Sequence, residues 1–164
     1  PILTLVDVPA FFPGPQQEQN GIIRHGAKIL YAFSEATVPK VTLIMRKAYG
    51  GAFIAMNCKM MSADVVYAWP IAEIAVMGAE GAVRIIDRHR IEQAEDTQKE
   101  YEVCKRAYEE KFSNPFIAAR KGYVDEVLLP EETTARLTET FRFLADKYEG
   151  ETSPAVRKHG NMPL

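Results

Sequence analysis

Val41-Thr42-Leu43-Ile44-Met45 is an apolar run of strand-forming residues. It leads within a few positions into Gly50-Gly51-Ala52, and small residues follow. This order constrains the chain to a strand that turns sharply into a helix. Such a turn leaves consecutive backbone N–H groups without intrahelical acceptors. Glycine permits positive φ and lets a ligand approach without a Cβ in the way. The helix dipole adds partial positive charge at the same point. Together these features describe a place that can hold a developing oxyanion. A turn in which the glycines serve only steric needs fits the same residues.

The surrounding chain alternates strand and helix. Ile2 to Val8 reads as a buried strand, and Pro9-Ala10-Phe11-Phe12-Pro13-Gly14-Pro15 as a loop. The adjacent Phe11 and Phe12 either clamp the core or form part of a binding wall. A helix is predicted from about Gln16 to Thr37, with Ile22, Gly26, Ile29 or Leu30, and Phe33 on its inner face. Arg24 and His25 fall on a solvated or interface edge. After the strand Val41–Met45 comes a short helix over about Ala52–Met61. Strands follow at Asp64–Pro70 and Glu73–Gly78. Gly78-Ala79-Glu80-Gly81-Ala82 then repeats the strand-to-helix theme into a helix near Ala82–Asp87. A long helix over Ile91–Phe112 presents Ala94, Thr97, Tyr101, Cys104, Tyr108 and Phe112 on one side. On its wet side it offers the pairs Glu95–Lys99 and Glu102–Arg106. A short helix over Phe116–Lys121, a strand over Val124–Leu129 and a final helix from Pro130 close the pattern. Leu137, Phe141, Leu144 and Tyr148 face inward from that last helix. Residues 150–164 read as an extended tail. The class is α/β.

The 164 residues suffice for one domain with a real core. A net charge of −2 without a basic stripe speaks against nucleic acid as a main partner. No apolar run approaches the length of a membrane span. Cys58 and Cys104 have no metal-like or disulfide-like spacing, which suits a reducing compartment such as the cytoplasm. Asp7, Asp64, Asp87 and Asp125 are far apart and read as turn or pairing residues. No catalytic triad, carboxylate pair or phosphate loop stands out. The chain begins directly with a strand, so the expectation is a piece of a longer polypeptide.

Several blocks occur together and in order. They are Val6-Asp7-Val8-Pro9-Ala10-Phe11-Phe12-Pro13-Gly14, Ile22-Ile23-Arg24-His25-Gly26-Ala27-Lys28, Glu35-Ala36-Thr37-Val38-Pro39, Arg46-Lys47-Ala48-Tyr49-Gly50-Gly51-Ala52, Tyr67-Ala68-Trp69-Pro70 and Glu73-Ile74-Ala75-Val76-Met77-Gly78-Ala79. This set closely resembles the carboxyltransferase (β) subunit of biotin-dependent acyl-CoA carboxylases, of the propionyl-CoA and acetyl-CoA carboxylase kind. The likeness covers essentially the whole chain, including Arg157-Lys158-His159-Gly160-Asn161-Met162-Pro163-Leu164 at its end. Ala10 stands where glycine is common in the family, so no role is carried onto it.

The resemblance implies a crotonase-like spiral of ββα units. It implies that residues 1–164 are the C-terminal half of the subunit, inactive without the N-terminal half. It implies carboxybiotin on a carrier protein as carboxyl donor and a short-chain acyl-CoA, propionyl or acetyl, as acceptor. A biotin carboxyl carrier or biotin carboxylase subunit is the implied partner. A homo-oligomer, a dimer of facing subunits and a hexamer at full length, is the implied assembly. No metal in this domain, no nucleic acid and no membrane are implied. Carried over by motif position, the amides of Gly51 and Ala52 form an oxyanion hole for the biotin ureido oxygen. Tyr49, Gly50, Phe53, Ile54, Phe11 and Phe12 are the implied substrate-binding residues. In relatives the position of Ile54 lies against the acyl group and varies with acyl preference. An isoleucine that merely packs the core is the alternative. A decarboxylase or transcarboxylase subunit would carry the same motifs. A non-catalytic module that only assembles an oligomer is a reading of another class.

Overall fold

The computed structural model describes residues 1–147, and the statements below concern these. Strand β1 (Ile2–Val8) leads through the proline-rich loop to α1 (Pro15–Gln19) and α2 (Ile22–Glu35). Strand β2 (Lys40–Tyr49) runs directly into α3 (Gly50–Ala55). Next come β3 (Val65–Ala68), β4 (Glu73–Ala75), α4 (Ala79–Ile86), α5 (Arg88–Glu92) and α6 (Thr97–Phe112). Helix α7 (Pro115–Arg120), β5 (Glu126–Val127) and α8 (Thr133–Phe143) complete the order.

The strands form one five-stranded, wholly parallel sheet in the order β1-β2-β3-β5, with β4 also on β2. Strand β2 is longer than its neighbours and uses two of them in succession. Val41–Ile44 pair with Val65–Ala68, and Lys47–Tyr49 then pair with Glu73–Ala75. Trp69 still donates its N–H to Ile44 at 2.9 Å, but Pro70 has no N–H to give, so β3 stops short of the predicted strand.

Side chains alternate across the sheet and build two cores. Ile44, Ala48, Val66 and Ala68 point to one face, where Phe53 of α3 and Ala118 of α7 cover them. Val41, Leu43 and Tyr67 point to the other, against Leu137, Phe141 and Leu144. The buried Tyr67 hydroxyl shares a 2.7 Å hydrogen bond with Thr140, and Trp69 Nε1 donates to Thr133 at 3.0 Å, which ties α8 to the sheet. A smaller core of Val83, Ile91 and Cys104 joins α4, α5 and α6. The start of β2 is fixed by Lys40, whose fully buried ammonium donates to the Phe33 carbonyl and to Ser62, each at 2.9 Å.

Both long predicted helices are broken. Gly21 has φ 78°, a left-handed conformation that no right-handed helix passes through, so α1 ends and α2 begins afresh. Helix α2 keeps Gly26 buried as expected and turns Leu30 rather than Ile29 inward; Ile29 is exposed. Asp96 caps α6 by accepting from the Lys99 amide at 3.0 Å, which separates α6 from α5. Glu95 therefore lies outside the helix, and the ion pairs run between elements: Arg90–Glu100 and Lys105–Glu80. Tyr148 and the predicted tail lie outside the described residues.

Candidate functional site

The site is the C-terminal end of β2, just after its change of partner. Tyr49 is its last residue and caps α3 in extended conformation, with φ −112° and ψ 133°. Gly50 then takes φ 54°. A Cβ at Gly50 would stand 2.8 Å from the Val76 carbonyl oxygen, so the residue is bound to be glycine on both counts. Because α3 opens here, the amides of Gly50, Gly51 and Ala52 have no acceptor within the helix. Gly51 is exposed while Ala52 is buried, so the turn meets solvent most openly at a residue without a side chain.

Beside this turn lies an apolar cavity of about 280 Å³. Gly50, Phe53 and Ile54 of α3 form one wall, and Ile74 and Val76 another, with Tyr108 of α6 and Ile117 of α7 opposite. Lys121 is the one charged side chain among its lining residues. Ile54 is only partly buried; it lines the cavity and also packs against the main core. The α6 and α7 walls are absent from the sequence reading. The signal for the α6 wall is the apolar stripe that ends at Tyr108 and Phe112.

The two phenylalanines separate. The Phe11 ring sits over Gly26, where an added Cβ would meet its Cζ at 2.7 Å, and it passes 3.8 Å from a Cβ at Gly51. Phe11 thus wedges α2 against α3. Phe12 is 71% exposed, and the two line a second hollow with Ile22 and Arg24. The structure brings together Gly50, Phe53 and Ile54 on the cavity and Gly51 with Phe11 beside it. It does not bring Phe12 or Tyr49 to the cavity. Tyr49 is buried, and its hydroxyl donates a hydrogen bond to the Glu73 carboxylate. Burial first, and then the hydrogen bond and negative charge of Glu73, push the Tyr49 hydroxyl well above its ordinary range, so it remains a donor.

Three of the scattered aspartates pair, and Asp87 stands at the junction of α4 and α5. Asp7 accepts from the Lys47 amide at 3.1 Å and Asp125 from the Val66 amide at 2.7 Å. Asp64 accepts from the Lys40 amide at 2.7 Å and pairs with Lys147 at 2.9 Å. No helix of the described residues is long and apolar enough to cross a membrane.

Residues 1–162 match the carboxyl transferase domain. The chain belongs to that family. A putative propionyl-CoA carboxylase beta chain of Bacillus subtilis is 54% identical over 164 residues, which are 100% of this chain and 32% of that protein. The methylmalonyl-CoA decarboxylase subunit alpha of Propionigenium modestum is 57% identical over 164 residues, 100% of this chain and 31% of its own. The crystal structure of transcarboxylase 12S, a hexamer assembly with methylmalonyl-coenzyme A and methylmalonic acid bound, matches with TM-score 0.90 and 49% identity. That match covers 99% of this chain and 31% of the 12S chain. The fold is the crotonase-like fold of these carboxyltransferases. The chain spans about a third of the length of its relatives, 32% and 31% in the first two, where a half was expected.

Proposed function

We propose that this chain forms one side of a carboxyltransferase site within a longer polypeptide. There a carboxyl group passes from carboxybiotin to the α carbon of a short-chain acyl-CoA. The observation that carries the reading is the turn at Gly50–Ala52, with amide donors at an exposed glycine and an apolar cavity beside them. These surroundings fit a largely apolar bicyclic ring with one polar ureido oxygen.

When bound, carboxybiotin supplies the carboxyl group in an activated form. The amides of Gly51 and Ala52 would hold the ureido oxygen, and such donors act most strongly on an oxygen that gains negative charge. The first turn of α3 adds the positive end of its dipole. Phe53 and Ile54 provide an apolar wall that keeps water from the reacting groups. No side-chain base is asked of this chain. Gly50 serves through its backbone conformation. Phe11 supports the turn from the α2 side, and Phe12 is open to a partner surface.

A carrier bearing biotin and an acyl-CoA are the partners in this reading. The C-terminal placement of residues 1–164, a hexamer of facing dimers and the cytoplasm complete it. Cys58 and Cys104 are free thiols, in keeping with a reducing compartment. The 57% identity to a decarboxylase subunit supports a second reading, in which the same turn serves the reverse transfer from a methylmalonyl-type thioester.

The test is Gly51→Val in the full-length subunit. A Cβ at Gly51 meets nothing nearer than 3.8 Å, so the variant is expected to fold, and its assembly is checked alongside the assay. Its side chain crowds the donors, and loss of one such donor lowers kcat about 100- to 1000-fold. Near-normal kcat in the assembled variant would leave the turn with a steric role only, or the chain as an assembly module.

A further inference from the structure

Tyr49 and Glu73 lie outside the cavity, yet they are tied directly to the donor turn. Tyr49 immediately precedes Gly50. In the parallel register Tyr49 stands opposite Ala75, which puts Glu73 two positions back on the same face of the sheet. The Tyr49 side chain reaches along that face and donates to Glu73. Its ring also lies against Gly78, where a Cβ would come within 3.3 Å. Between these contacts the Val76 carbonyl abuts Gly50. The segment Glu73–Gly78 therefore holds Tyr49 and Gly50 at three points. The dihedral angles of those two residues set the direction of the amides that follow.

We infer that Tyr49 and Glu73 form a positioning pair that aims the Gly51 and Ala52 amides without touching the reactants. The inference rests on the reading of those amides as oxyanion donors. The tyrosine is 7% exposed and its hydroxyl is committed to Glu73, so it is not available to hold a substrate. Glu73 and Tyr49 lie on different strands, so their hydrogen bond fixes the end of β2 to the start of β4. Without the bond, the end of β2 keeps its ladder and the tyrosine keeps its ring packing. What is lost is the restraint on the turn itself. A donor pair misaimed by a fraction of an ångström stabilises charge less, while a substrate held mainly elsewhere binds as before.

The experiment uses the full-length subunit with its biotin carrier and follows acyl-CoA-dependent carboxyl transfer. Tyr49→Phe and Glu73→Ala each lower kcat about 10-fold, short of the roughly 100-fold cost of a full 1 Å misplacement. KM for the acyl-CoA stays within about twofold, since uniform binding is untouched. Glu73→Gln keeps an acceptor for the tyrosine hydroxyl and recovers most of the lost kcat. The double variant Tyr49→Phe/Glu73→Ala is no slower than the worse single one, because both remove the same bond. Each single variant melts within about 4 °C of the parent.

If Tyr49→Phe keeps full kcat while Gly51→Val is crippled, the pair is only structural and the donor reading stands. If Gly51→Val also keeps full kcat, the donor reading falls and the positioning pair with it. Losses in Tyr49→Phe that appear in KM alone would overturn the inference in favour of substrate contact.

Discussion

Gly50→Ala in the full-length subunit tests whether the turn is built as described. Two separate costs arise. Alanine at φ 54° bears the left-handed penalty of about 1–2 kcal/mol. Its Cβ would also lie 2.8 Å from the Val76 oxygen, well inside ordinary contact. The neighbour is backbone, and it belongs to the segment that follows β4, so it cannot swing aside as a side-chain end would. Overpacking of this kind costs about 1–3 kcal/mol. The combined loss is about 3 kcal/mol. It should be local, because the two main cores do not depend on Gly50. Hydrogen exchange of peptides spanning β2–α3 and β4 is the suitable assay. A loss of about 3 kcal/mol in local opening speeds exchange there about 100-fold. Peptides from α8, which packs on the far face, should change little. Gly50→Asn separates the terms, since asparagine tolerates the left-handed region but carries the same Cβ. It should recover only the smaller part. Unchanged exchange in Gly50→Ala would refute both the dihedral and the contact.

Gly26→Ala gains about 1 kcal/mol of helix propensity but drives a Cβ to 2.7 Å from the Phe11 ring. It should destabilise the parent yet stabilise a Phe11→Ala background, a coupling of at least about 1 kcal/mol in denaturant unfolding. Equal effects in both backgrounds would show that Phe11 does not wedge the two helices. Ile54→Ala and Ile54→Asp should change the ratio of kcat/KM among acetyl-, propionyl- and butyryl-CoA about tenfold or more. Equal losses on all three substrates would assign Ile54 to packing alone.

The positions of the strands along the chain were legible because apolar runs and their breakers sit close together in sequence. Val41 to Met45 announces β2, and Pro70 ends β3 through chemistry that needs no tertiary context. The helix breaks were harder to read. Gly21 and Asp96 both sit in stretches whose apolar spacing continues across the break, and only backbone conformation and capping reveal the ends. At the site the glycine pair was legible, but which glycine carries the strain was not. That depends on the Val76 carbonyl, a contact made only once β4 lies beside β2. The cavity was legible in part. Phe53 and Ile54 follow the glycines directly, whereas the α6 and α7 wall is assembled from residues distant in sequence. Tyr49 and Glu73 belong to separate blocks, and no spacing rule connects a residue to one on a neighbouring parallel strand.

The location of the site follows from how β2 is used. Its first half is paired on both sides and buried between two cores, so it can do nothing but hold position. Beyond Ile44 the β3 partner stops, and β4 takes over only from Lys47 to Tyr49. Crevices outside the carboxyl ends of parallel strands, where neighbours diverge, are where open α/β sheets bind ligands. Here the divergence is between β3 and β4, and α3 starts in the space it leaves. The unpaired amides therefore lie at the end of the longest strand among the described residues, with the positive φ confined to Gly50. In the proposed reading, a donor fixed this way needs no reorganisation when charge develops, and that absence of reorganisation would be the source of its effect. It also explains why a tyrosine–glutamate bond outside the cavity can matter. On so firm a base, the last freedom left to the donors is the aim of the turn, and Glu73 restrains it.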